Sequence, residues 1–190
     1  MPREISAPWK VCYANEPFLV VVQHPFVRDD GKAGLQSRAI VVDGSLAIAL
    51  DRETHQVVMI ERERDRPEGK IYVMEPPGGA IDEGDTPLVC ARKELREETG
   101  FMATDWIQLY SDDGVTPIDG LIWTRQHLFL ALDAIQVGDP VGDETKRVVL
   151  KTFSELIELV RRNKFHDPLM TNALWFAYDW LGRNKPDLIT

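Results

Sequence analysis

Three glutamates lie within five residues of one another, at Glu94, Glu97 and Glu98. On a helix of about 100° per residue, Glu98 lies about 40° from Glu94 and Glu97 lies about 60° to the other side, so the three carboxylates share one face. Like charges at this spacing repel, and the helix dipole disfavours anions in the last turn. The cluster therefore does not stabilise a helix by itself. It either forms a solvated acidic face paired with neighbouring basic side chains, or supplies the oxygen ligands that a divalent cation prefers.

The residues around the glutamates predict a helix with clear ends. Thr86 is a favoured N-cap residue, Pro87 suits the first helical position, and Gly100 stands where a C-terminal glycine ends a helix. Before this helix, the Pro-Pro-Gly-Gly run at 76–79 interrupts any regular element. A glycine turn followed by a capped helix favours the metal-binding interpretation of the carboxylates.

The remaining segments predict strands on both sides of this helix and two further helices. Residues 8–43 are expected to form a small antiparallel sheet with a turn at 29–32. Phe153 to Arg162 is expected to be helical, and Asp167-Pro168 is expected to open a last helix that Gly182 closes. Further strands are expected at 46–50, 57–60, 71–74, 106–110, 121–132 and 147–151.

This order of elements predicts an α+β protein built as an α/β/α sandwich. Its expected organisation is an N-terminal antiparallel β extension at 1–43, followed by the main domain at 44–190. The small sheet would have little core of its own if it were left alone.

Composition excludes several classes of function. The 190 residues include 31 acidic and 22 basic side chains, a net charge of −9, so a sequence-independent nucleic-acid binder is not expected. No apolar run approaches the roughly 20 residues of a membrane span, and residues 1–9 lack the apolar core of a secretory signal. With two cysteines and no disulfide framework, a reduced cytoplasmic setting is expected.

The segment from Gly79 to Phe101 resembles the Nudix box: glycine, five residues, Glu, seven residues, Arg-Glu, aliphatic, any, Glu-Glu, any, Gly, aliphatic. The spacing matches at every position. Asp85 stands where the box has Glu and Lys93 where it has Arg, and both keep their charge. The resemblance implies a Nudix-type sandwich and a Mg²⁺-dependent hydrolase, with Mn²⁺ as an alternative ion. It also implies that a pair formed by Asp85 and Lys93 braces the box.

The resemblance further implies a role for each carboxylate. Glu94 and Glu98 would be the principal metal ligands, Glu97 a further ligand and candidate catalytic acid, and the Gly78 carbonyl a backbone ligand. Glu98 is expected to be exposed, so that Glu98→Gln would keep the fold while slowing turnover.

Residues outside the box resemble the ADP-ribose pyrophosphatase group. Arg66-Pro67, Glu75 and Pro77-Gly78-Gly79 match its Arg-Pro … Glu-Leu-Pro-Ala-Gly run, and residues 81–87 match its Ile-Asp-Glu-Gly-Glu-Thr-Pro run with one substitution. Pro117 lies near a proline that marks ADP-ribose-specific members, although Pro-Ile-Asp replaces the usual Pro-Gly-Phe context. The N-terminal sheet with Asp30-Gly31-Lys32 resembles the group's dimerisation extension, which implies that the chain packs on a second copy as a homodimer.

That group resemblance implies hydrolysis of a nucleoside diphosphate sugar, with ADP-ribose giving AMP and ribose 5-phosphate as the first expectation. The alternatives are another nucleotide sugar such as GDP-mannose, or a domain that binds a nucleotide without turnover. Arg66 is a candidate diphosphate contact because a guanidinium fork suits phosphate oxygens, although it could equally be a surface arginine. The loop at 138–146 is expected to supply a catalytic carboxylate, with Glu144 as first candidate and Asp143 as second.

Overall fold

The structure is a computed structural model that describes residues 8–141, 147–165 and 167–189. The described strands, in chain order, are β1 Lys10–Asn15, β2 Leu19–Val27, β3 Ala33–Val41, β4 Gly44–Asp51, β5 Val57–Arg66, β6 Gly69–Glu75, β7 Gly78–Ala80, β8 Phe101–Met102, β9 Asp105–Gln108, β10 Ile122–Trp123, β11 Gln126–Gln136 and β12 Arg147–Lys151. The helices are α1 Pro87–Thr99, α2 Phe153–Arg161 and α3 Pro168–Asn184, followed by a short 3-10 helix at Pro186–Leu188.

The described residues form two sheets. The larger has the order β12-β5-β4-β11-β8, with β6 paired to β5, β7 to β4 and β9 to β11. Its central pair, β4 and β11, is parallel, and the other pairs are antiparallel. The smaller sheet has the order β1-β2-β3-β10. The expected α+β class is therefore confirmed.

The two faces of the larger sheet carry side chains of different size, because successive residues of a strand point to opposite faces. One face presents Leu and Ile side chains such as Ile48 and Leu130 to α2 and α3, in a core that includes Leu156 and Leu174. The other face presents small side chains, Ala49 among them, to the helix α1. Small residues let α1 lie close to the sheet, and the result is the expected three-layer α/β/α sandwich.

The ends of α1 are the ones that the sequence predicts. The Thr86 side chain accepts the Val89 backbone N–H at 3.3 Å, and Pro87 occupies the first turn. Gly100 adopts φ 75° and donates its N–H to the Arg96 carbonyl at 3.0 Å. A residue with a side chain is strained at such a positive φ, so glycine is favoured at this position.

Several details differ from the sequence expectations. The strand expected at 121–132 is divided into β10 and β11, which belong to different sheets. The helix α3 continues through Gly182 to Asn184, since a glycine inside a packed helix lowers its stability without ending it. Gly78 and Gly79, expected to lie outside regular structure, belong to the short strand β7, which pairs with β4. The strand β5 extends to Arg66 rather than ending at Ile60, because it forms a hairpin with β6.

The N-terminal strands share their sheet with a strand from the main domain. Ile122 and Trp123 of β10 pair in parallel with Ala39 and Ile40 of β3. The N-terminal extension at 1–43 and the main domain at 44–190 are therefore joined by backbone hydrogen bonds between β3 and β10. No helix among the described residues is long and apolar enough to cross a membrane.

We predict that Leu95→Ala lowers the free energy of unfolding by about 2 to 5 kcal/mol, because Leu95 is fully buried between α1 and the sheet. The matched control is Val89→Ala on the same helix, where the side chain is 46% exposed and the expected change is within about 0.5 kcal/mol. Urea unfolding followed by circular dichroism measures both. Equal losses for the two variants would contradict the described packing of α1.

Candidate active site

Glu98 is the most buried of the three clustered glutamates, with a side chain only 10% exposed. Its Oε2 accepts the Gly78 backbone N–H at 2.9 Å, and its Oε1 forms an ion pair with the Arg62 guanidinium. The expectation that Glu98 is exposed is wrong. The helix α1 packs against β4, β5 and β7, and this packing turns Glu98 towards the sheet rather than towards solvent.

Arg62 belongs to a series of alternating charges that was not predicted from the sequence. Its side chain is 7% exposed, and its Nε lies 3.6 Å from Oε2 of Glu75 on the neighbouring strand β6. The same Glu75 oxygen accepts a hydrogen bond from Arg64 Nη2 at 2.7 Å. The strand period offered a signal, because Arg62 continues the face of Val58 and Ile60, both fully buried.

Glu94 and Glu97 lie in different environments on the same helix. Glu94 is half-buried beside Gly79, where an added Cβ would collide with the Glu94 carboxylate. Glu97 is exposed, and its backbone carbonyl accepts the Val141 N–H at 2.6 Å. The absence of a side chain at Gly79 lets the Glu94 carboxylate lie against the backbone of β7 in its present rotamer.

Gly78 presents its polar backbone atoms towards α1. The Ala47 N–H donates to the Pro77 carbonyl at 3.0 Å, so the next residue of this antiparallel ladder turns its N–H and C=O away from β4. A Cβ at Gly78 would lie 2.6 Å from the Leu46 Cβ. Gly78 is therefore confined to glycine, and its carbonyl lies on the side from which its N–H reaches Glu98.

The donor atoms suit a hard divalent cation, because the candidate set consists of carboxylate oxygens and one backbone carbonyl. Glu94, Glu97, Glu98 and the Gly78 carbonyl would hold it. Within the described ranges, no group of three or more His, Cys, Asp or Glu side chains is arranged so that it could hold a metal ion. The chemistry of the donors fits, while Glu98 is turned to Arg62.

The expected pair of Asp85 with Lys93 is replaced by another ion pair. Lys93 contacts the Asp82 carboxylate, and this hydrogen bond is the main cause that raises the pKa of Lys93. Asp85 adds only a weaker attraction. The turn before α1 brings Asp82 over Lys93, and both side chains are exposed, so this pair contributes little to stability.

A cleft opens beside the glycines of β7. It consists of two adjoining cavities of about 820 and 270 Å³, both bordered by Arg64 and Glu75. The smaller one reaches Gly78 and Gly79, and the larger one is lined by Arg66 and Pro117. Other side chains that line the larger cavity include Tyr72, Lys164, Phe165 and Asp167. Two residues singled out from sequence, Arg66 and Pro117, thus meet in one cavity.

Two candidates for the catalytic carboxylate fall outside the part of the chain that the structure describes. They are Glu144 and Asp143. On one side of this gap, Val141 donates a hydrogen bond to the backbone of α1, and on the other side Arg147 forms an ion pair with Glu61 at 2.8 Å.

Cys90 is not a candidate nucleophile on α1. Burial raises the pKa of the Cys90 thiol to about 12. That thiol stays protonated near neutral pH and does not serve as a nucleophile.

Comparison with known proteins identifies the family. The NUDIX domain matches residues 42–181. The chain belongs to the Nudix family. This membership agrees with the box at 79–101, and it makes the chain a Nudix pyrophosphatase, an enzyme that hydrolyses phosphoric anhydrides.

Relatives and solved structures extend the comparison over most of the chain. A GDP-mannose pyrophosphatase from Cronobacter sakazakii (strain ATCC BAA-894) is 33% identical over 174 residues, which are 83% of this chain and 86% of the relative. Another GDP-mannose pyrophosphatase, from Enterobacter sp. (strain 638), is 27% identical over 170 residues with the same coverage. A crystal structure of an ADP compounds hydrolase has a TM-score of 0.69 and 17% identity over 96% of this chain and 99% of that one, so it shares the Nudix fold.

We predict that Glu98→Gln lowers the free energy of unfolding of the metal-free protein by about 2 to 3 kcal/mol, because it removes one member of a buried ion pair. The control is Glu97→Gln, one residue earlier on the same helix and exposed, where the expected change is within about 0.5 kcal/mol. Chemical unfolding in the presence of a chelator measures both. If Glu98→Gln were as stable as the control, the buried pair with Arg62 would be rejected.

Proposed function

We propose that this Nudix enzyme hydrolyses the diphosphate of a nucleoside diphosphate sugar, releasing a nucleoside monophosphate and a sugar phosphate. The observation that carries the proposal is the position of the cleft, which runs from the glycines beside the box helix to Arg66 and Lys164. Its volume suits a ligand with a base, two phosphates and a sugar. The two GDP-mannose pyrophosphatases among the relatives support the same substrate class.

Two substrates stand out within this class. GDP-mannose is supported by the relative that shares 33% identity across most of both chains. ADP-ribose is supported by the resemblance of the segments around Arg66 and Glu75 to the ADP-ribose pyrophosphatase group, and by the convergence of Arg66 and Pro117 on one cavity. The altered sequence after Pro117 counts against ADP-ribose, so we place GDP-mannose first and ADP-ribose second.

The charges of the cleft suit an anionic substrate that arrives with a metal ion. Glu75 is offset by Arg62 and Arg64, and Asp167 caps α3 by accepting the Leu169 N–H at 2.7 Å. Arg66 and Lys164 line the same cavity, together with the carboxylate of Asp65, and their positive charges can contact phosphate oxygens.

We propose Mg²⁺ as the cofactor, with Mn²⁺ as an alternative, held by Glu94, Glu97, Glu98 and the Gly78 carbonyl. A bound divalent cation would neutralise the diphosphate and favour attack of water on phosphorus. The protein supplies the oxygen ligands and the groups that orient the diphosphate. Glu97, exposed on α1, or Glu144, outside the described residues, would accept the proton of the attacking water.

A homodimer remains our proposal for the assembly. It is supported by the exposed apolar side chains of the smaller sheet and its first turn, among them Tyr13, Phe18, Val27 and Leu35, which are between 55% and 72% exposed. Where such side chains form one contiguous patch they mark an interaction surface, and a second copy of the chain is our proposed partner. A cytoplasmic location also stays a prediction.

The substrate class is tested by incubating the protein with Mg²⁺ and a panel of nucleotide sugars, followed by anion-exchange chromatography. We expect GMP and mannose 1-phosphate from GDP-mannose, with slower release of AMP and ribose 5-phosphate from ADP-ribose, and loss of both reactions with a chelator. Tight Mg²⁺-dependent ligand binding without any product would instead support a binding domain, and the proposed hydrolysis would be rejected.

We predict that Arg66→Gln raises the KM for the best substrate about tenfold and changes kcat much less, because it removes a phosphate contact in the cleft. Arg52→Gln is the control, since Arg52 is exposed in the turn between β4 and β5, away from the cleft. Steady-state kinetics of both variants measure the two KM values. An unchanged KM for Arg66→Gln would show that Arg66 is a surface arginine that does not contact the substrate.

A further inference from the structure

Arg62 holds the carboxylate that the proposed metal site needs. We propose that Arg62 serves as a built-in cation for Glu98 in the metal-free protein, and that a divalent metal ion binds by displacing Arg62 from Glu98. This inference rests on the metal dependence proposed above.

The first support is the burial of both charges. The Arg62 side chain is 7% exposed and the Glu98 side chain 10% exposed. A carboxylate this far from water is costly without a counter-charge, so the metal-free protein needs a cation at this point. Arg62 provides it, together with the hydrogen bond from the Gly78 N–H at 2.9 Å.

The second support is that both oxygens of Glu98 have partners. Oε1 faces Arg62 and Oε2 faces the Gly78 N–H. A carboxylate oxygen can accept more than one contact, but a guanidinium and a divalent ion on the same buried carboxylate repel each other strongly at low dielectric. The two cations therefore compete for Glu98.

The third support is that Arg62 has another place for its charge. Glu75 Oε2 lies 3.6 Å from Arg62 Nε, within the range of an ion pair. After displacement, Arg62 keeps Glu75 as a partner and remains charged. Because Glu75 borders both cavities of the cleft, the displaced positive charge lies on the side where a diphosphate would bind. Metal binding and diphosphate binding are then expected to favour each other.

The grouping of the acidic side chains agrees with this proposal. Within the part of the chain that the structure describes, the carboxylates do not form a set of three ready for a metal ion. Glu94 already lies beside Gly79, on the same helix face as Glu98. Release of Glu98 from Arg62 is the change that supplies the further ligand.

The experiment measures Mn²⁺ affinity without substrate, using the electron paramagnetic resonance signal of free Mn²⁺. Wild type is compared with Arg62→Met, which removes the competing charge, and with Arg62→Lys, which keeps the charge but loses the guanidinium fork. We expect about tenfold tighter binding for Arg62→Met and an intermediate gain for Arg62→Lys.

Arg64→Gln is the matched control. Arg64 is on the same strand, but its side chain is 50% exposed and its ion pair is with Glu75 rather than Glu98. Loss of a positive charge near the site would tighten Mn²⁺ binding in this variant as well. We expect a change of about twofold or less, because solvent screens the Arg64 charge.

Melting temperatures give a second readout that needs no activity. In a chelator, Arg62→Met is expected to melt below wild type because Glu98 loses its counter-charge, and saturating Mn²⁺ is expected to raise its melting temperature by more than it raises that of wild type. If Arg62→Met does not fold without metal, Arg62→Lys is used for the same comparison.

Equal Mn²⁺ affinities in wild type, Arg62→Met and Arg62→Lys would overturn the role of Arg62 while leaving the metal site in place. A gain in Arg64→Gln as large as that in Arg62→Met would also overturn it, by showing a general charge effect. If no form of the protein bound Mn²⁺, the metal dependence and this inference would both be rejected.

Discussion

The close approach of α1 to the short strand β7 constrains the whole site. At Gly78 an added Cβ would lie 2.6 Å from the Leu46 Cβ, and at Gly79 it would enter the Glu94 carboxylate. Gly78 is therefore restricted to glycine by fixed atoms of β4, whereas a side chain at position 79 would displace the Glu94 carboxylate from its place beside β7. With no side chain between them, the carboxylates of α1 reach the backbone of β7, and Glu98 can accept the Gly78 N–H.

This approach places a carboxylate out of water, and the structure compensates with charge. The series Glu98, Arg62, Glu75 and Arg64 alternates in sign and leads from the buried face of α1 to the cleft. Each inner charge has a partner of the opposite sign, as buried ionic groups require. The helix that carries the three glutamates and the cleft are thereby connected by ion pairs.

The scaffold makes the approach possible by dividing its side chains by size. Large aliphatic side chains such as Ile48 and Leu130 fill the layer beneath α2 and α3, while Ala49 and Ala131 face α1. The layer beneath α2 and α3 holds the larger cluster of buried apolar side chains, and the layer of small side chains allows a helix that carries charges to lie near the strands. The division follows from strand alternation in β4 and β11.

Local sequence signals determined the features that depend on a few neighbouring residues. Thr86, Pro87 and Gly100 fixed the ends of α1, because capping and a positive φ involve atoms within one helical turn. The spacing of the box placed the three glutamates on one helix face, because the helical period does so in any fold. The family and the three-layer order of elements could be inferred on the same basis.

Only the tertiary structure decided which of these side chains are buried and what they contact. Glu98 is buried because β5 and β7 cover one side of α1, and Arg62 meets it from a strand distant in sequence. Lys93 forms its ion pair with Asp82 rather than with Asp85 because the turn before the helix brings Asp82 over Lys93. Helical and strand periods specify a face but not what packs against it, so the partners of these charges required the three-dimensional arrangement of the strands.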